Sequence, residues 1–149
     1  WKAHPYEQVA YEVIPIKNKN PEIGSGMWGT LKKDISEVDF LTQLKKDFNL
    51  HTIRHTAFRE KPIRKVAPCG GSGSFLLDQA KRTNADVYIT SDFKYHEFFN
   101  AEKDIIIADI GHYESEQFTK ELIKEIFKEN FPKFATHLSE LNTNPINYL

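Results

Sequence analysis

Three observations predict an α/β fold, a layered sandwich around a mainly parallel central sheet. From Arg64 onward, strand, loop and helix patterns alternate. Ile105–Ala108 is a short apolar run, the mark of a strand buried on both faces. A helical pattern then runs from His112 to about Asn130. Strands and helices alternating at this spacing build βαβ units with right-handed crossovers. At 149 residues and 40% hydrophobic, the chain is long enough for one domain with its own core.

Composition removes several function classes. A formal net charge of -1 provides no electrostatic basis for binding nucleic acid or an anionic membrane. One cysteine rules out an intramolecular disulfide and a cysteine-based zinc site, and fits a reducing, cytoplasmic setting. No apolar run approaches the ~18 residues of a membrane span. The chain opens at Trp1 without a methionine and with element-like sequence already at Ala3, as expected of a fragment.

Taken in order, Ala10–Ile16 alternates as a strand candidate, and Lys17–Ser25 reads as a polar linker with Pro and Gly. Met27–Leu31 is a short strand candidate. Ser36 with Asp39 is a capping-box variant, opening a helix that sets Val38, Leu41, Leu44 and Phe48 along one side and ends near Asn49. His51–Phe58 alternates as a half-exposed strand whose histidines, His51 and His55, read as surface residues. Lys65–Cys69 is a strand, Gly70–Ser74 a glycine-rich loop, and Phe75–Arg82 a helix. Val87–Thr90 is the next strand, with a short helix through Tyr95 and Phe98. Ile105–Ala108 is the third, and Phe134–Leu138 a fourth candidate.

In sheets of this kind ligands gather beyond the C-terminal strand ends. Three consecutive strands here end in polar clusters, at Cys69–Ser74, Ser91–His96 and Asp109–Glu116, which should share one edge. His112 and Glu116 are four apart, so on a helix their Cβ atoms lie roughly 5–6 Å apart. At 100° per residue they align with Ile123 and Phe127, while Glu114, Glu121 and Glu125 fall toward the other side. An imidazole and a carboxylate on a buried stripe need a partner, and a divalent cation suits both. The plainer reading is a first-turn carboxylate favoured by the helix dipole beside a packed histidine. Asp92 and His96, also four apart, read either as an acid/base pair or as a cap with a surface histidine. The glycine loop suits an anion or a tight turn, and lacks the lysine of a P-loop. Cys69, without a sequence partner, reads as a packed thiol.

The segments HPYEQVAY, CGGSGS, YITSDFKYH and above all DIGHYESE resemble the C-terminal half of the interacting-factor-3-like family, described as dinuclear-metal-centre proteins or GTP cyclohydrolase type 2 homologues. The resemblance runs across nearly the whole chain. It implies residues 1–24 as the end of an inserted PII-like domain with its linker, and residues 25–149 as one half of a two-half core. It further implies a hexameric ring with two divalent metal ions per subunit, of zinc, iron or manganese type. His112 matches the histidine ligand and Glu116 the carboxylate ligand of this half. Asp92 and His96 match motif positions near the site and are the candidate proton carriers. The remaining ligands, a histidine pair and an aspartate, belong to the family's N-terminal half, and no His-His dipeptide occurs here. Two functions are open: a metal-dependent hydrolase acting on a nucleotide or phosphoester, or a non-catalytic metal-binding scaffold. In either case the fragment alone is expected to be inactive, with its metal absent or incomplete.

Overall fold

The computed structural model describes residues 2–5, 8–17 and 23–149. Within them, strands β1 (Gly29–Ile35), β2 (Arg54–His55), β3 (Ile63–Ser72), β4 (Val87–Ser91) and β5 (Ile106–Asp109) form one sheet in the order β1-β3-β4-β5-β2. The three central strands run parallel, and the edge strands β1 and β2 are antiparallel to their neighbours. Helices α1 (Glu37–Asp47), α2 (Leu77–Arg82), α3 (His112–Glu116) and α4 (Thr119–Asn130) complete the chain, with 3-10 turns at Ser74–Leu76 and Tyr95–Ala101. Among the described residues no helix is long and apolar enough to cross a membrane.

The apolar run at 105–108 is buried on both faces, as a central parallel strand must be. Val87, Ile89, Ile106 and Ala108 face one side with Leu41 and Leu44 of α1. Tyr88 and Ile107 face the other, with Leu77 and Ala80 of α2 and with Phe93 and Ala101. Period-two alternation thus feeds two cores and makes a three-layer sandwich. Each fully buried aliphatic side chain contributes about 1.5–3 kcal/mol. Ser36 caps α1, accepting from the Asp39 backbone N–H at 3.1 Å. Buried Glu37 then accepts from the backbone N–H groups of Arg59 and Glu60, which fastens α1 to the loop before β3.

Several elements differ from the sequence reading. Residues 10–16 form no strand, and Tyr11, Val13, Ile14 and Ile16 are exposed; alternation alone does not make a strand. Residues 134–138 likewise carry no strand. The His51–Phe58 candidate contracts to Arg54–His55, which pair with Asp109 and Ala108 of β5, and the Thr56 backbone N–H still donates to the Ile107 carbonyl. The linker reading of 17–25 falls largely on residues 18–22, outside those described. Strand β3 continues through Gly70–Ser72, with a register shift between Pro68 and Ser72, so most of the expected glycine loop is bulged strand. The largest correction is at the C-terminal helix, which breaks at Gln117–Phe118 into α3 and α4. Gln117 Nε2 donates to the carbonyls of Phe48 and Glu114, and the Phe118 ring meets Phe48 edge-on at 5.7 Å. These tertiary ties turn the chain where the helical period alone runs on.

Candidate functional site

Parallel pairing of β3, β4 and β5 brings their C-terminal ends to one sheet edge, with Ser72 opposite Ser91 and Thr90 opposite Asp109. Helix α3 packs across the ends of β3 and β4. Its first residue, His112, lies between two carboxylates from different elements. His112 Nδ1 is 2.6 Å from Asp92 Oδ2, and Nε2 is 3.4 Å from Glu116 Oε2. The imidazole pKa is raised above its ordinary value, first by the hydrogen bond to Asp92, with burial opposing and the charges of Asp92 and Glu116 adding.

The cradle under this pair is built by Gly71. Its φ of +64° is a left-handed conformation costly to other residues, and a Cβ there would lie 2.4 Å from Glu116 Oε1 and 3.4 Å from His112 Cε1. The Gly71 N–H donates to Ser115 Oγ at 2.8 Å, and the Ser115 hydroxyl donates to the His112 carbonyl at 2.8 Å. Ser115 therefore locks α3 onto the bulge of β3. Thr90 donates to the Gly71 carbonyl and Tyr88 to the Gly73 carbonyl. The Gly71 N–H and the Gly71 and Gly73 carbonyls are thus committed within the protein at the bulged end of β3.

Asp109 is buried and structural. It accepts from the backbone N–H groups of Phe93 and Gly111 and pairs with Arg54, which also donates to the Phe93 carbonyl. One carboxylate thus sets the paths of both loops that carry Asp92 and His112. Glu114, expected toward solvent, is instead buried, its Oε1 accepting from Asn144 and Tyr148 of the C-terminal segment. Beside α3 and α4, that segment bounds a cavity of about 600 Å³ reaching His112, Glu116 and Lys120.

Of the sequence candidates, Asp92, His112 and Glu116 come together, and His96 does not. His96 is exposed on the next turn, with its ring against Tyr95 at 5.1 Å. The expected buried stripe is also corrected. The His112 and Glu116 side chains are about half exposed (49% and 51%), and Ile123 and Phe127 lie across the helix break, also exposed. Cys69 is buried and donates to the Ser25 carbonyl, as a packed thiol does. Sequence reading missed Ser115 and Gly71. The available signals were a serine three residues after His112 and a glycine run too long for one turn.

The His112–Glu116 pair suits a cation in geometry and donor type. Zinc–nitrogen and zinc–oxygen bonds of about 2.1 Å at tetrahedral angles set neighbouring ligands about 3.4 Å apart. The set is incomplete: among the described residues no three His, Cys, Asp or Glu converge on one point. The residues present therefore fit as part of a metal site.

A family model described as Duf34/NIF3 (NGG1p interacting factor 3) matches residues 4–145. A protein of Staphylococcus epidermidis named GTP cyclohydrolase 1 type 2 homolog is 36% identical, over 97% of this chain and 40% of its own length. One of the same name from Bacillus subtilis is 34% identical, over 99% of this chain and 41% of its own length. Among solved structures, a Bacillus cereus protein related to NIF3 superposes with a TM-score of 0.73 at 32% identity, covering 99% of this chain and 42% of that one. A Staphylococcus aureus protein, SA1388, gives 0.72 at 26% identity, covering 83% of this chain and 37% of that one. The chain spans about 40% of the length of the curated relatives it matches.

Proposed function

The chain belongs to the Duf34/NIF3 family, and from that premise we propose that it is the C-terminal portion of a dinuclear-metal hydrolase acting on a nucleotide or phosphoester-type substrate. The observation that carries this reading is the 3.4 Å separation of His112 Nε2 and Glu116 Oε2 above a glycine with no Cβ to fill the space. Bound divalent cations of zinc, iron or manganese type supply Lewis acidity and lower the pKa of water. Within this chain, His112 and Glu116 hold metal, Ser115 and Gly71 keep α3 seated, and the adjoining cavity admits substrate. Residues 1–24 form the end of an inserted domain, and residues 25–149 one half of the core. The other half supplies the remaining ligands within a cytoplasmic homohexamer, so that this chain alone is inactive.

A specific observation favours a second reading, a non-catalytic metal-binding ring. Of the two groups expected to move protons, Asp92 is committed to His112 and His96 stands apart. Elemental analysis and turnover on the two-half protein separate the possibilities. Glu116→Ala should lose most of its metal while keeping the fold, because a half-exposed carboxylate contributes ligation rather than packing. Full stoichiometric metal in that variant removes Glu116 from the site. Stoichiometric metal in the unsubstituted protein, with no turnover of nucleotides or phosphoesters, leaves the scaffold.

A further inference from the structure

We infer that Asp92 is a positioning residue for the metal site, the outer carboxylate of an aspartate–histidine–metal relay, and not a group that exchanges protons with substrate. The inference rests on the reading of His112 and Glu116 as ligands.

The two carboxylates beside His112 are not equivalent. Asp92 Oδ2, at 2.6 Å from Nδ1, makes a short hydrogen bond, whereas Glu116 Oε2, at 3.4 Å from Nε2, is a longer and weaker contact. A carboxylate accepts only, so the Asp92 contact requires the N–H to sit on Nδ1. Whenever the ring is neutral, its Nε2 lone pair therefore faces Glu116. An outer carboxylate that fixes tautomer and ring orientation in this way typically changes metal affinity about 10–100-fold when removed.

Asp92 has φ +60°, a left-handed conformation that aspartate adopts more readily than most side-chain-bearing residues, though less freely than glycine. Its backbone follows the end of β4, and the next N–H, that of Phe93, is held by Asp109 at 3.0 Å. A glycine at position 92 would keep the turn and relieve its strain. The carboxylate that stands there instead is hydrogen-bonded to His112.

The experiment uses the 149-residue chain with zinc as the probe. Long-range ¹H–¹⁵N NMR reports which His112 nitrogen carries the proton, and zinc titration is followed at the same ring. Above the raised pKa of the imidazole, where the ring is neutral, the unsubstituted chain should show the Nδ1–H tautomer, with zinc acting on Nε2. Asp92→Gly should retain or gain thermal stability, redistribute the proton toward Nε2 and bind zinc about 10–100-fold more weakly. Asp92→Asn, which also tolerates the left-handed turn, should weaken zinc binding in the same direction. Unchanged tautomer and zinc affinity in both Asp92 variants overturns the inference, even where Glu116→Ala loses zinc. Undiminished zinc binding by Glu116→Ala overturns the ligand reading instead, and the tautomer measurement then still decides whether Asp92 orients the ring.

Discussion

At the residue scale, the site depends on an atom that is missing. Gly71 leaves room for Glu116 Oε1 where a Cβ would stand 2.4 Å away. Glu116 is a long side chain whose end can swing aside, so the steric cost of Gly71→Ala is small. The left-handed backbone adds about 1–2 kcal/mol. We therefore expect Gly71→Ala to lose only about that much stability in chemical denaturation, yet to bind zinc measurably more weakly, because the displaced carboxylate is a ligand. A variant destabilised by the same amount with unchanged zinc affinity would show that Glu116 need not occupy this position. The contrast with Asp92 is instructive: one position requires glycine for space, whereas the other bears a carboxylate where glycine would be easier.

At the element scale, the sheet is tied at its other end by Asp86, just before β4. Its carboxylate accepts from the backbone N–H groups of Arg64 and Lys65 at 2.8 and 2.7 Å and from Arg59 at 3.0 Å, linking the start of β3 to β4. Burial works to raise its pKa, but the Lys65 and Arg64 N–H groups and then Arg59 outweigh it, and the net shift is downward. The folded carboxyl is thus the stronger acid. Its stabilisation is complete above the unfolded pKa of about 3.9 and is lost as pH falls through the lower folded value. Denaturant midpoints measured from pH 7 to pH 3 should therefore fall less steeply for Asp86→Asn than for the unsubstituted chain. At pH 7 Asp86→Ala should be less stable by about 2 kcal/mol; equal pH slopes for the unsubstituted chain and Asp86→Asn would contradict this account. Elements written in local pattern were legible: the apolar run at 105–108, the Ser36 cap, and the three polar strand ends on one edge. What was not legible depended on distant partners. The break at Gln117–Phe118 is made by Phe48, far away in sequence, and the burial of Glu114 by Asn144 and Tyr148. The stripe linking His112 to Phe127 was a sound reading of a continuous helix that the tertiary contacts interrupt.

At the scale of the whole molecule, α4 is an amphipathic helix without a core to cover. Leu122, Ile123, Ile126 and Phe127 share one face at 48–56% exposure, and no residue of α4 is buried. Phe118 and Phe131 extend the patch at its ends. A stripe of this width in a globular protein normally packs against another element, and contiguous exposed apolar area of this kind marks an association surface. For the 149-residue chain in isolation, we expect a second copy to cover this face, in a self-complementary pair that sets α4 against α4. Sedimentation or light scattering over a concentration series should show the mass rising above the 17.3 kDa monomer. Ile126→Asp with Phe127→Lys should hold it at the monomer while leaving His112, Glu116 and their hydrogen bonds in place, since both substitutions fall beyond the break at Gln117. Apolar burial is insensitive to screening, so raising salt should not dissociate the pair, whereas an association through the chain's mixed charges would weaken. A strictly monomeric chain at high concentration would overturn the pairing through α4.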